Sequence, residues 1–307
     1  MTRLIKLSFA AFLFIGLVAA LNAQQFNGGG VVKSTHTTSF CAAGCDSTGT
    51  TWTVPYGAEQ ITALYCGSGA AGAGGYNSTT GGGGGGGGGA MCVMNWPIAA
   101  APGTVITFTV GTGPTGGAIN TQGTNGASET LSWTSGAWSY TSPAAFGGQG
   151  NATIATSTTG GTGGASGAVV NGGTTVSGLT FSVPAGGAGA TGNGTASGQV
   201  TESPSSIWAM GGGGGGGGGA TNGNGGSSRL VGLIDGASGF VLGGAGTTTC
   251  GGGGAGGNSW LTLGGTGGTV TGNAGNPGGT ASGGGGGPCN GTGGAGGQQF
   301  VAFTWVQ

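Results

Sequence analysis

The chain has 307 residues, and 88 of them are glycine, about four times the usual share. Charged residues make up only 3% of the chain and the formal net charge is −1, whereas roughly a quarter of an average globular domain is charged. A chain with so little charge lacks the electrostatic footprint that nucleic acid or anionic lipid requires, so neither is an expected partner.

The N-terminus has the order of a secretory signal peptide. Arg3 and Lys6 precede an apolar run over residues 7–21, and small residues then lead to Ala23. The run is shorter than the roughly 20 residues of a comfortable membrane span. An uncleaved N-terminal anchor is the alternative. We predict a signal peptide over residues 1–23 and a secreted or cell-surface protein that keeps no stable membrane span after cleavage.

Six cysteines follow the signal peptide: Cys41, Cys45, Cys66, Cys92, Cys250 and Cys289. An even number in an exported chain predicts three disulfides, although the sequence leaves their connectivity open. Cys41 and Cys45 are close enough to form a local loop, and a bond between Cys250 and Cys289 would tie two distant glycine tracts together. The cysteines lack histidine support and the short spacing of zinc sites, so we expect no metal and no other cofactor.

Residues 24–49 are polar and predict an irregular segment, and a glycine-rich domain follows over residues 50–307. Within it, residues 60–66 alternate as in a strand, which places Ile61, Ala63 and Tyr65 on one face. In the clearest strand, Ile106, Phe108 and Val110 share a face. The predicted strands cover residues 50–55, 60–66, 91–96, 104–110, 179–183, 230–234, 240–242, 260–263 and 299–306, with a hairpin over 128–140 that turns at Ser135-Gly136.

Glycine tracts separate these strands, and two of them, residues 81–89 and 211–219, are runs of nine glycines. Each glycine costs about 1 kcal/mol in an α-helix relative to alanine, and the tracts lack the strict repeat of collagen. One ordered option is the polyglycine II helix, which has three residues per turn and no internal hydrogen bonds. Tracts lying side by side would satisfy one another's backbone groups, and only glycine fits their interior.

The predicted fold is therefore mainly β and irregular, with a small antiparallel β scaffold and bundled polyglycine II helices. We expect essentially no α-helix outside the signal peptide. Composition by itself also allows a disordered wall or matrix filler, because proline and glycine together lie in the low-complexity range.

The order of features resembles the glycine-rich domain of bacteriophage tail-fibre and tail-tip proteins and of some exported bacterial surface proteins. The matching segments are TWTVP (51–55), the strand and glycines of 61–75, PGTVITFTVGTG (102–113), GTNGASETLSW (123–133) and GGAGGQQFVAFTWV (293–306). The resemblance covers about residues 50–307 and implies bundled polyglycine helices and, in phage members, a role at the host-recognising tip. The signal peptide and the six cysteines depart from the phage pattern and favour an exported surface or matrix protein.

No catalytic constellation is visible in the sequence. His36 is the single histidine, and the five acidic residues are scattered, so we expect no enzyme. Binding through exposed aromatic side chains is the alternative, because tyrosine and tryptophan dominate contact surfaces. The candidates are Tyr76, Trp96, Trp133, Trp138, Tyr140 and Trp208, and the competing interpretation is that they form a small aromatic core.

We therefore expect a structural or adhesive protein without catalysis. Its partner would be a cell-surface or glycan ligand, or further copies of itself in a homo-oligomer. Ice binding is one alternative, because the chain is rich in threonine and poor in charge. A phage tail-tip receptor-binding component is another.

Overall fold

The structure, a computed structural model, describes residues 33–164 except 79, 143, 151–154 and 157–159, then 175–176, 179–180, 209–210, 218–219, 228–230, 239–245, and 250–307 except 260 and 270–273. The predicted signal peptide, Trp208 and most of the glycine run 211–219 lie outside the described residues. The described chain is antiparallel β-structure and irregular segments, without a helix, as the sequence predicts.

The strands are β1 (Thr35–Cys41), β2 (Thr51–Thr53), β3 (Glu59–Cys66), β4 (Cys92–Pro97), β5 (Val105–Thr107), β6 (Ser132–Ser135), β7 (Trp138–Thr141), β8 (Thr175–Val176), β9 (Leu179–Thr180), β10 (Ala209–Met210), β11 (Ser228–Leu230), β12 (Gly239–Val241) and β13 (Phe300–Val306). β8 pairs with β9 and β11 pairs with β12, each in a two-stranded sheet. The other strands form two larger sheets.

The larger of these sheets has the order β1-β13-β3-β4-β10 and joins distant parts of the chain. β13 lies between β1 and β3 and is antiparallel to both, with Cys41 opposite Phe300 on one side and Cys66 opposite Phe300 on the other. Ile61, Ala63 and Tyr65 of β3 are all buried, so the predicted alternation is confirmed. β13 is thus an interior strand, hydrogen-bonded on both sides.

The second sheet has the order β2-β5-β6-β7, and its inner face packs on the first sheet. Trp52 of β2 stacks on Phe303 of β13, with ring centroids 4.3 Å apart. Phe40 and Phe108 complete this aromatic contact, with centroids 4.9 Å apart in an edge-to-face arrangement. Aromatic pairs of this kind add to the free energy gained by burying their area, so the core is concentrated where the two sheets meet.

The glycine tracts beyond the sheets are linked to one another by backbone hydrogen bonds. The amides of residues 70–75 donate in turn to the carbonyls of Gly88, Thr124, Gly294, Gly85, Thr121 and Gly291. Successive amides therefore donate to three different neighbouring tracts, and every third amide donates to the same tract. This period of three equals the residues per turn of the predicted polyglycine II helix. The helix type itself stays a prediction.

The run Gly81–Gly89 is buried along its whole length and lies among other tracts. It accepts hydrogen bonds from the amides of Gly251, Gly254 and Gly257 on one side, again at intervals of three. A Cβ built on Gly86 would collide with the backbone carbonyl of Ala255. Glycine is required at this position because a neighbouring main chain occupies the place of a side chain. We call the hydrogen-bonded tracts within residues 67–75, 81–89, 251–257 and 283–297 the glycine bundle.

Three disulfides are present, as predicted, and two of them close the glycine bundle at different points. Cys66–Cys92 joins the end of β3 to the start of β4, where the tracts leave and re-enter the first sheet. Cys250–Cys289 links residues next to two tracts, and the Cys289 amide also donates to Gly251 O. Cys41–Cys45 closes the short loop after β1.

Several sequence predictions differ from the structure. β1 forms within the segment predicted to be irregular, because its partner, β13, comes from the other end of the chain. The predicted strand over 104–110 is shorter, Val105–Thr107. A strand was also predicted over residues 260–263, and this was wrong for residues 261–263. They form no strand because Ser259 Oγ accepts hydrogen bonds from the amides of Leu261 and Thr262, which a strand would use for pairing.

Candidate functional site

The six aromatic residues proposed as contact groups do not share one location. Trp133, Trp138 and Tyr140 come together on the hairpin of β6 and β7. Trp96 is half-buried against the hydrophobic core, so it serves packing. Tyr76 is half-buried and begins the turn between two glycine tracts, and its amide donates to Gly82 O. Trp208 lies outside the described residues.

The β6–β7 hairpin places its aromatic residues by strand alternation and by its turn. The turn falls at Gly136-Ala137, one residue later than predicted, and pairs Ser135 with Trp138. Gly136 has a φ of 61°, a left-handed conformation that glycine adopts without strain. Trp138 and Tyr140, two residues apart, project from the same face of β7.

Trp133 and Tyr140 lie directly opposite each other on the two strands and stack, with ring centroids 5.5 Å apart and planes within 12°. Trp133 is only 8% exposed and donates its indole N–H to Ala99 O at 3.4 Å. Tyr140 is 41% exposed and Trp138 72% exposed. We call Trp133, Tyr140 and Trp138 the aromatic edge, because β7 is the edge strand of its sheet.

The outer face of the same sheet carries rows of hydroxyl groups. One register row contains Thr51, Thr107, Ser132 and Thr141, one residue from each strand. The neighbouring positions are Thr53 paired with Val105, and Thr134 paired with Ser139. All eight side chains are exposed, and neighbouring strands in a sheet are about 4.8 Å apart. Seven of the eight carry a hydroxyl group, Val105 being the exception, and we call these seven residues the hydroxyl face.

The aromatic edge and the hydroxyl face contain no charged residue. Of the charged residues in the described part of the chain, Lys33 pairs with Glu59 next to the first sheet, Asp46 follows β1, Arg229 lies in β11, and Glu129 precedes β6 with its side chain buried. Hydrogen bonds from the Ser39 hydroxyl and amide hold the pKa of Asp46 below its ordinary value. The aromatic edge lies on the inner face of the second sheet, at its exposed edge, and the hydroxyl face is its outer face. A ligand at the aromatic edge would therefore be held by stacking and apolar contact, and one at the hydroxyl face by hydrogen bonds, in each case without an ion pair.

One exposed aromatic residue was missed by the sequence analysis. Tyr56 is 81% exposed and lies in the turn between β2 and β3, beside Gly57, whose φ is 79°. The sequence Pro55-Tyr56-Gly57 is a turn signal and would have indicated an exposed side chain. Because Tyr56 follows β2, it lies at the opposite edge of the second sheet from β7.

Comparisons with protein-family models and with curated proteins find no match to this chain. Within the described ranges, no group of three or more His, Cys, Asp or Glu side chains comes together in a way that could hold a metal ion. The described residues also include no apolar helix long enough to span a bilayer.

Proposed function

We propose that the protein is a secreted or surface-exposed structural and adhesive module that binds without catalysis, and that the aromatic edge is its contact surface. The observation that carries this proposal is the exposure of Trp138 beside the stacked pair Trp133–Tyr140. Tryptophan and tyrosine combine a flat apolar ring with a polar atom, which suits contact with a partner that is partly apolar and partly hydroxylated.

The absence of charged residues from the aromatic edge favours an uncharged ligand, and the Tyr140 hydroxyl and Trp138 indole N–H favour one that exchanges hydrogen bonds with them. A neutral glycan has both properties: its C–H faces stack on aromatic rings, and its hydroxyls donate and accept hydrogen bonds. The three disulfides are compatible with an extracellular location, where such glycans occur.

The test is binding of the purified protein to insoluble neutral polysaccharides and to a glycan array, comparing Trp138→Ala with the wild type. We expect Trp138→Ala to weaken binding at least about tenfold, because exposed tryptophans at contact centres carry much of the binding energy. Tyr56→Ala is the matched control, since it removes an equally exposed ring at the opposite edge of the same sheet. Equal binding by all three proteins would overturn the assignment of the aromatic edge.

Ice binding is a second candidate, favoured by the regular rows of the hydroxyl face. An uncharged array of threonine hydroxyls at strand spacing offers ordered positions for water molecules. Inhibition of ice recrystallisation by the wild type, lost on Thr107→Lys in the middle of the face, would support it. No inhibition at high protein concentration would reject it.

A further inference from the structure

A buried polar cluster lies between the two large sheets and is not part of the aromatic edge. The Glu129 side chain is fully buried and accepts three hydrogen bonds: from the Thr109 amide at 3.0 Å, from the Thr130 amide at 3.0 Å, and from the Thr109 hydroxyl at 2.9 Å. Backbone hydrogen bonds between Glu129 and Ala145 fix the main chain at this point.

The Thr109 hydroxyl has a second neighbour, the side-chain amide of Gln299. Gln299 is 3% exposed, and its Nε2 lies 3.2 Å from Thr109 Oγ1 and 2.9 Å from Ser128 O. Its Oε1 accepts a hydrogen bond from the Gly111 amide at 2.8 Å. A hydroxyl therefore touches a carboxylate on one side and a primary amide on the other, and a backbone N–H polarises the amide carbonyl.

We propose that Thr109 and Gln299 form an intramolecular ester cross-link, with Glu129 as the proton-transferring group. Thr109 Oγ1 attacks Gln299 Cδ while the Glu129 carboxylate accepts the hydroxyl proton, and the developing oxyanion is stabilised by the Gly111 N–H. The C–N bond then breaks, Glu129 returns the proton to the nitrogen, and ammonia leaves. Hydroxyl and amide become ester and ammonia, so no oxidant, reductant or further reactant is needed.

The surroundings of the cluster suit this chemistry. A carboxyl that both takes and returns a proton works best when its pKa lies near the ambient pH. Burial raises the pKa of Glu129 to about 7, against the opposing effect of the hydrogen bonds from Thr109 and Thr130. Thr109 itself is exposed, so ammonia has a route to solvent. Among the described residues, Tyr65 also faces Glu129, and because burial raises the pKa of Tyr65, its phenol stays neutral.

The cross-link would join two elements that are far apart in sequence. Thr109 follows β5 of the second sheet, and Gln299 directly precedes β13, which lies between β1 and β3 in the first sheet. An ester here would bind the last strand covalently to the second sheet. In an adhesive module this would prevent a pulling force from stripping β13 out of the fold, and the inference stands whether or not the aromatic edge binds a glycan.

The test is intact mass and peptide mapping of the full chain, exported and oxidised, after incubation at pH 7. We expect the folded protein to be one ammonia lighter than its disulfide-bonded sequence, and a cross-linked peptide to join the segments that contain Thr109 and Gln299. Hydroxylamine, which cleaves esters, should release the two peptides. Mapping is essential because cyclisation of an N-terminal Gln24 also releases ammonia.

Three variants decide the roles. In Thr109→Val and Glu129→Gln, no cross-linked peptide should form, so Gln299 should keep its amide nitrogen. Thr109→Ser, which keeps a hydroxyl, should form the cross-linked peptide as the wild type does. Thr109→Ser and far-ultraviolet circular dichroism together distinguish loss of the nucleophile from loss of the fold. Wild-type protein that is folded, carries three disulfides and yields unmodified Thr109 and Gln299 peptides would overturn the proposal. A cross-link that persists in Glu129→Gln would overturn the role of the carboxyl.

Discussion

Side chains stabilise the two large sheets, whereas the main chain itself stabilises the glycine bundle. In the two large sheets, Trp52, Phe303 and Phe108 pack together with other buried apolar side chains in the space between the layers. In the bundle, Gly86 faces the carbonyl of a neighbouring tract with no room for a methyl group. A chain poor in large side chains can therefore still form a close-packed interior, provided that its backbone amides form hydrogen bonds with adjacent tracts.

The largest effect is expected from Gly86→Ala, which tests whether the bundle excludes side chains. The added methyl group would meet the carbonyl of Ala255, and two backbones must then separate, so we expect a loss of at least about 4 kcal/mol in unfolding free energy. Chemical denaturation measures the change.

Gly49→Ala is the matched control for this substitution. Gly49 lies in a loop, where the nearest atom to an added Cβ is Ser47 Oγ at an ordinary 3.4 Å. We expect a change below about 0.5 kcal/mol. Equal effects at both positions would contradict the packing described for the bundle.

The next largest effect is expected from removing the disulfide that closes the bundle. Cys250 and Cys289 are 39 residues apart, and the loop-entropy relation gives about 4 kcal/mol for Cys250→Ser with Cys289→Ser. The same double change at Cys41 and Cys45, four residues apart, should cost about 2 kcal/mol. Thermal unfolding of the two double variants measures both losses, and the reverse order of stabilities would contradict the account.

A smaller effect is expected in the pH dependence of the unfolding free energy, through the buried carboxyl of Glu129. The folded-state pKa of Glu129 is raised from 4.5 to about 7, so the folded protein holds this proton more tightly than the unfolded chain does. The stabilisation is complete below about pH 4.5, falls as the pH rises to about 7, and is then constant, a loss on the order of 3 kcal/mol.

Glu129→Gln should remove this slope. The glutamine Oε1 can accept the same two backbone N–H groups, and its Nε2 can donate to Thr109 Oγ1, so the site keeps its shape. The measurement is unfolding free energy against pH for both proteins. The pH dependence of the unfolding free energy is compared, rather than its absolute value, because a cross-link at Thr109 would add a stabilisation that does not depend on pH. A slope that persists in the variant would refute the assignment.

Strands with a one-sided apolar pattern were predictable from the sequence. The alternation of Ile61, Ala63 and Tyr65 fixes β3, and the apolar residues around Ile106 and Phe108 fix the region of β5. β1 was missed because the first three residues of THTTSFC are exposed in the structure, and pairing with a strand more than 250 residues away leaves no local pattern. The strand predicted at 260–263 failed because the hydroxyl of Ser259 competes for its backbone amides.

The candidate sites were predictable only in part. Trp133, Trp138 and Tyr140 were proposed as contact residues because tyrosine and tryptophan dominate contact surfaces, and strand register brings all three together. The burial of Glu129 could not be predicted, since two of its three hydrogen bonds come from Thr109, 20 residues away, and Gln299, which also contacts Thr109, lies 170 residues further along the chain. Contacts of this kind depend on tertiary packing rather than on sequence spacing.

Hydrogen exchange within the run Gly81–Gly89 tests most directly whether main-chain packing stabilises the bundle. The amides of this run are buried, and several donate to neighbouring tracts, so we predict that peptides covering it exchange as slowly as peptides from β3 and β13. If the glycine run exchanged at the rate of an unprotected chain while β3 and β13 stayed protected, main-chain packing would not stabilise the glycine bundle.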